Sequence, residues 1–461
     1  MSFMRGIFNK ILDVPAHERI KILMLAACYF CILATYNVIR ELRDALFVNI
    51  VGCEYIQYAQ LFSIVFLIPT LFVYAYLVDR LKKHQLLYVY TTIYAIGGLI
   101  IAYYVGHPTI GILNTQAHAS RWFGWLMFLF VESYPAFVMS LFLSYVNSVT
   151  PQTTMKQSYS VIVAGSKLGG IIMSLFAWWF LSSVAWSEVS KIQTLFIIAS
   201  SCIVLIPLLI RLLIKKVPDA YLHGYEASYQ HDQKVEQVEQ KEPQRWYSSL
   251  ARSFSGLTYI LKYPYALGIF GIVLFWEILN IMLGFQRLKA CYALHKSISG
   301  LSGTLFMQTF WIHLLGFFIA LIGTRVFLEY LGERRSLIMV PAITGILILV
   351  YFLSNTVTGL IVCFILIRSF NFSLGISVRE ALYIPTTKVM RFKTKSWIDT
   401  FGAKCARGTG SVCSLVAECT PHYLSQIYLS ICLGIIGIWI ITAHFMGKCF
   451  ERVIKDNEVI G

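Results

Sequence analysis

Charge is scarce in this chain. Asp, Glu, Lys and Arg make up 13% of its 461 residues, about half the roughly 25% of an ordinary soluble domain. Acid is scarcer still, with 23 Asp and Glu against 38 Lys and Arg and a formal net charge of +15. Hydrophobic residues fill 57% of the sequence and mean hydropathy is +0.68. These proportions exclude a water-soluble core under a charged shell and leave a multi-spanning membrane protein. In a soluble protein the positive balance would suggest nucleic acid. Here part of it is ordinary cytoplasmic-loop bias, and no nucleic-acid partner is expected.

Signatures of chemistry are missing too. The 11 cysteines contain no quartet with metal-ligand spacing. Cys28 and Cys31 form a C-x-x-C pair, but inside an apolar run, where small buried packing residues are the expectation. No P-loop, no G-x-S-x-G and no H-E-x-x-H occurs. Neither cofactor nor metal is expected, and the pattern points to passage of a solute. The first 21 residues carry Pro15 and mixed charge and do not read as a cleavable signal.

What is abundant is apolar sequence of spanning length. Segments fall near 22–39, 58–78, 86–105, 122–148, 158–184 and 193–214, then near 265–286, 303–324, 336–354, 357–374, 397–417 and 423–446. The eleventh is the weakest, being rich in small residues and holding Asp399, Lys404 and Arg407. Between the sets, 215–256 is polar and Gln- and Glu-rich and reads as a linker. Basic residues crowd alternate loops: Arg80, Lys82 and Lys83; Arg325, Arg334 and Arg335; Lys388, Arg391, Lys393 and Lys395. The other loops have few, Arg121, Lys191 and Lys296 being the exceptions. By the positive-inside rule both termini and the linker are cytoplasmic.

The two sets echo each other. Gly165-Ser-Lys167 in the fifth span has a counterpart in Gly402-Ala-Lys404 in the eleventh, each with a lysine (Lys156, Lys393) nine residues before the glycine. Asp79-Arg80-Leu-Lys82-Lys83 matches Gly332-Glu333-Arg334-Arg335 in the corresponding loop, and the first span ends Asn37…Arg40, Arg43 as the seventh ends Asn280…Arg287, Lys289. The expected fold is all-α and membrane-integral: about twelve helices in two six-helix halves, 1–214 and 257–461, major-facilitator-like, with a site near the midplane.

The informative charges are those inside the spans. In Tyr36-Asn-Val-Ile-Arg-Glu-Leu-Arg-Asp44, Arg40, Arg43 and Asp44 share a helix face, and Arg40 with Asp44 has ion-pair spacing. Each charge at membrane depth costs roughly 2.5–3.5 kcal/mol on insertion scales. A helix end snorkelling to the interface is one reading of this cluster. Against it, Ala45-Leu-Phe-Val48 resumes the apolar run at once. Arg40, Arg43, Lys167, Arg287, Lys289, Arg368, Arg379, Lys404 and Arg407 outnumber Glu41, Asp44, Glu132, Glu277, Glu380 and Asp399. Each alone could be an interhelical ion pair. As a set they lack counter-charge, which a polyanionic substrate would supply, and arginine forks suit phosphate oxygens.

Several short motifs resemble the ATP/ADP translocase (nucleotide transporter) family of intracellular bacteria and plastids, from Arg19 to about Thr442. They are Tyr36 to Val48, Glu132, Lys262-Tyr-Pro-Tyr265, Arg379-Glu-Ala-Leu-Tyr-Ile-Pro385, Lys393-Thr-Lys395 and the run Asp399 to Gly408. The resemblance implies a nucleotide substrate, ATP, ADP or a relative, exchanged or imported by alternating access, and no enzymatic activity. It implies phosphate contact by Arg40, Arg43, Arg287, Lys289, Arg368, Arg379, Lys404 and Arg407, with Glu41, Asp44, Glu132, Glu380 and Asp399 as gating or coupling acids. The family's first-helix Asp and Lys are Glu41 and Arg43 here, its tenth-helix Lys is Arg368, and its seventh-helix acid is Leu283. The expected location is the cell inner membrane, with the lipid bilayer as the other partner. Alternatives are a carrier of another anionic metabolite, a membrane enzyme acting on lipid or phosphate, and a scaffold whose charges pair structurally; oligomeric state is open.

A reporter inserted between residues 230 and 242 is expected to read out on the cytoplasmic side. An outside signal would overturn the orientation and the two-half arrangement together.

Overall fold

The computed structural model describes residues 16–78, 80–150, 152–218, 257–258, 260–295, 297–320, 324–354, 356–387, 390, 394–395, 397–456 and 458–460. Most of the linker expected at 215–256 lies outside them. Among the described residues there are fourteen α-helices and no strand beyond one isolated bridge, Thr386 to Ile460. The helices are α1 Ala16–Ile50, α2 Ile56–Val78, α3 Lys83–Val105, α4 Trp122–Tyr134, α5 Ser140–Val149, α6 Gln152–Ser183 and α7 Glu188–Lys216. They continue with α8 Pro264–Leu294, α9 Ile298–Phe318, α10 Thr324–Ser354, α11 Val357–Phe370, α12 Ile376–Ala381, α13 Ala403–Glu418 and α14 Leu424–Lys455.

Eleven helical segments among the described residues are long and apolar enough to cross a membrane. They coincide with the expected spans except the eleventh. There, α13 has only 16 residues, preceded by a π-helical turn at Ile398–Gly402. Its charges and small residues dilute the hydropathy, as the sequence foreshadowed.

The chain divides into two compact units. The first holds α1, α2 from Leu67, α3 to α7 and Ser297–Phe310 of α9; the second holds Cys53–Phe66, α8, α9 from Trp311 and α10 to α14. In the first unit α1 is the central helix. Cβ atoms at Gly165 and Gly169 of α6 would fall 2.6 and 2.4 Å from the carbonyl oxygens of Ala26 and Phe30 on α1, so only glycine permits this approach. Thr35 donates to the Ala199 carbonyl on α7 (3.0 Å) and Tyr134 to the Ile32 carbonyl (3.1 Å). Cys28 and Cys31 are free and buried here, as packing residues. The second unit repeats the device: a Cβ at Gly410 of α13 would meet the Ile278 carbonyl oxygen of α8 at 2.9 Å.

Two basic exceptions to the loop pattern have structural employment. Arg121 donates to the carbonyls of Asn114 (3.0 Å), Gln116 (3.1 Å) and Ile110 (2.9 Å), folding the 106–121 loop around itself. Lys191 donates to the Leu181 carbonyl (2.9 Å) at the end of α6, where the helix dipole favours a cation.

Gly332, expected in a loop between spans, is a break within α10, with φ 73° and ψ 168°. That conformation is open essentially to glycine alone. Gly332→Ala is expected to destabilise the protein by about 1–3 kcal/mol, while Gly437→Ala in α14, where a Cβ meets nothing within 4 Å, is neutral or stabilising. Thermal unfolding of both variants in detergent checks this; equal midpoints would remove the strain argument.

Candidate functional site

The charged cluster on α1 does not end a helix. The helix runs on to Ile50, Glu41 is fully buried and Arg43 is 3% exposed. Snorkelling at an interface is not what this geometry shows. The pairing also differs from the spacing argument. Arg40 bonds its neighbour Glu41 rather than Asp44, and Arg43 bonds Asp44 (2.6 and 2.9 Å) and, from α4, Glu132. The cause lies outside α1. Glu132 draws the Arg43 guanidinium across to α4, over the Phe128 ring (4.4 Å to its centroid), while Arg40 lies by the Tyr36 ring (5.5 Å).

Thr309 of α9 was not singled out in the sequence. Its hydroxyl donates to Glu41 (2.8 Å) and lies 3.5 Å from Arg40. The signal was present as Gln308-Thr309, two polar residues inside an apolar span and both buried.

The second unit carries its charges differently. Arg287 of α8 and Arg368 of α11 both lie over the Phe364 ring, at 4.6 and 5.1 Å from its centroid, and Arg368 also over Phe372 (5.1 Å). Such contacts contribute roughly 0.5–2 kcal/mol each. Two guanidiniums each about 5 Å from one ring centroid can be at most about 10 Å apart, and so repel by at least about 1.7 kcal/mol at an effective dielectric of about 20. Lys404 is buried in α13, and Arg407 donates to Glu277 (2.9 Å). Lys395 bonds Glu380 (2.6 Å), and Asp399 lies within electrostatic reach of Arg379, Lys395, Glu380 and Glu277. Lys289, half-exposed, bonds Glu418 (2.6 Å) at the end of α13. Burial pushes the phenol of Tyr383, in the turn after α12, well above its ordinary value, so it serves there as a neutral ring.

Local backbone irregularity accompanies these charges. Complete π-helical turns among the described residues are Pro135–Met139, Asn371–Gly375 and Ile398–Gly402, and a further π-helical segment begins at Ile319-Ala320, after α9. The first begins three residues after Glu132, the second three residues after Arg368, and the third contains Asp399 and ends two residues before Lys404. In each the following backbone N–H reaches five residues back, to Pro135, Asn371 and Ile398. Such turns often mark functional positions in helices. Among the described residues no group of His, Cys, Asp and Glu could hold a metal.

The model of one protein family, described as TLC ATP/ADP transporter, matches residues 2–450. The chain belongs to that family. Among its relatives, ADP,ATP carrier protein 4 of Rickettsia prowazekii (strain Madrid E) is 23% identical, with 98% of this chain and 96% of the relative covered. ADP,ATP carrier protein 1 of Chlamydia muridarum (strain MoPn / Nigg) is 22% identical, with 97% and 92% covered. The fold is that of the major facilitator superfamily: a solved proton:xylose symporter of that superfamily superimposes with a TM-score of 0.60 at 12% identity, covering 94% of this chain and 96% of its own. The protein is therefore a multi-pass membrane carrier of nucleotides, and not an enzyme.

Arg43→Met takes the cation from buried Glu132 and partly buried Asp44 and is expected to cost about 3–5 kcal/mol. Arg43→Met combined with Glu132→Leu replaces the pair by apolar groups and is expected to regain most of that stability without regaining transport. Thermal unfolding and uptake at matched membrane expression check both; transport by the double variant at the parental rate would make the pair a structural anchor only.

Proposed function

We propose that this carrier holds its nucleotide by the phosphates, using Arg40, Arg43, Arg287, Arg368, Arg379, Lys404 and Arg407, with Lys289 as a more peripheral station. Glu41, Asp44, Glu132, Glu380 and Asp399 act as gating or coupling acids. The observation that supports this most is the pair of arginines over one Phe364 ring, a concentration of positive charge that phosphate oxygens would relieve. In this reading the chain consists of two six-helix halves, 1–214 and 257–461, joined by a cytoplasmic linker. The carrier lies in a cell inner membrane with both termini in the cytoplasm.

The coupling is read from what is missing on α8. Leu283 is buried at the position where the family resemblance places an acid. Glu277, six residues earlier, is held by Arg407. Loss of that acid favours import coupled to the proton gradient over strict exchange of ATP for ADP.

Intact bacteria expressing the protein are expected to take up labelled nucleotide saturably. Uptake should depend weakly on preloaded ADP and fall when an uncoupler is added. Absence of nucleotide uptake would overturn the proposal. Uptake strictly dependent on internal ADP and indifferent to the uncoupler would overturn the coupling alone.

A further inference from the structure

Two helices are divided between the units, and in the same way. Cys53–Phe66, which opens α2, belongs to the second unit and the rest of α2 to the first. Ser297–Phe310, which opens α9, belongs to the first unit and the rest of α9 to the second. The two stretches are equal in length, and α2 follows α1 as α9 follows α8. Each packs on its unit along one face, which its contacts trace.

On α2 that face runs through Cys53, Gln57, Leu61 and Ile64, at helical spacing. Cys53 lies within electrostatic reach of Lys289 of α8 and Glu418 of α13. Further along, a Cβ at Gly408 of α13 would fall 2.5 Å from the Ile64 side chain and 3.7 Å from that of Leu61. Gln57 lies between these anchors. It is 1% exposed, and neither its amide nitrogen nor its amide oxygen has a hydrogen-bond partner among the described residues. On α9 the face runs through Ser299, Ser302, Phe306 and Thr309. The Ser299 backbone N–H donates to Glu188 of α7 (3.2 Å), and the Thr309 hydroxyl donates to Glu41 of α1 (2.8 Å). Ser302 lies between these two ties. It is fully buried, and its hydroxyl too has no partner among the described residues.

Buried polar groups are as a rule bonded. One that is not has given up water on packing and gained nothing from the protein; when its segment lifts away, it regains water. Each such group therefore weakens the packed arrangement against the parted one by about five- to a hundred-fold. We infer that Gln57 and Ser302 are release points, polar groups left without protein partners so that Cys53–Phe66 and Ser297–Phe310 can part from the faces they pack on and be hydrated when the site changes side. This rests on the carrier reading above, because a carrier's site must open in turn to either side of the membrane. Packing too firm at either segment would hold it on one side.

The test replaces each group by an apolar one of similar shape in the full-length protein, as Gln57→Met and Ser302→Ala. Ser174→Ala is the comparison: Ser174 of α6 is equally buried and its hydroxyl equally without a partner among the described residues, but α6 lies wholly within the first unit. All three variants are expected to keep or raise the thermal midpoint. Gln57→Met and Ser302→Ala should each lower the maximal rate of nucleotide uptake about five-fold or more at matched membrane expression, and Ser174→Ala should leave it unchanged. An ordinary structural defect lowers stability and transport together, whereas loss of a release point lowers transport alone. Parental uptake rates in both variants, or a midpoint that falls along with uptake, would overturn the inference and leave nucleotide transport standing. Native Cys53 gives a readout that needs no nucleotide. Its modification by a membrane-impermeant thiol reagent in lipid nanodiscs, located by peptide mass spectrometry, should slow in Gln57→Met by a similar factor and stay at the parental rate in Ser174→Ala. If the parent takes up no nucleotide, the carrier reading fails; slowed modification of Cys53 then upholds release of the α2 segment, and an unchanged rate overturns it.

Discussion

An arginine cannot escape its charge by losing a proton, so wherever it is buried the structure must come to meet it. Arg43 is the point at which this constraint organises the first unit. Removing such an ion from water costs several kcal/mol after relaxation. The cost is offset by Asp44 from the same helix, Glu132 from α4 and the face of Phe128. Each partner fixes something larger. Glu132 sets the rotation of α4 against α1. Phe128 packs on Phe47, which also meets Trp125 edge-on, so the ring beneath the cation belongs to the core between the same two helices. The glycines of α6 then bring a third helix close along the other side of α1.

The π turns solve a related difficulty. A regular α-helix repeats every 3.6 residues, so a charge and the apolar residues above and below it cannot all face their separate targets for long. Insertion of one wide turn rotates the remainder of the helix relative to the part before it. In the fourth and tenth spans the turn follows directly after Glu132 and Arg368, so the charged residue and the following segment are aimed independently. Pro135, which lacks a backbone N–H, opens the first of these turns, where the ordinary bonding is already disturbed. Sequence periodicity could not reveal Asn371–Gly375 or Ile398–Gly402, because neither carries a proline.

The spans themselves were legible, because length and hydropathy decide them with little help from tertiary context. So was the weakness of the eleventh, whose charges give it away. The cluster on α1 was visible as an interruption of an apolar run, but its partners were not. Spacing along one helix pointed to Arg40 with Asp44, whereas the pairs formed depend on Glu132, 89 residues from Arg43, and on Thr309, 268 residues from Glu41. Likewise the echo between Gly165-Ser-Lys167 and Gly402-Ala-Lys404 could be read, but the more telling correspondence could not. Arg43 with Phe128 and Arg287 with Phe364 share no local motif; only packing aligns them. Arg121 and Lys191 looked like breaches of the charge bias until their carbonyl partners accounted for them.

A carrier's site must open in turn to either side of the membrane, and this limits how its charges can be arranged. If every buried cation were matched by a built-in acid, an incoming anion would have to displace a carboxylate at each step and would gain little. If none were matched, the empty form would carry a stack of desolvated charges through its transition. The two units surround their buried arginines differently. Arg43 has acids built in beside it, Asp44 and Glu132. Arg287 and Arg368 meet at a shared ring, which tempers their repulsion without neutralising it, because a ring quadrupole attracts cations yet carries no net charge.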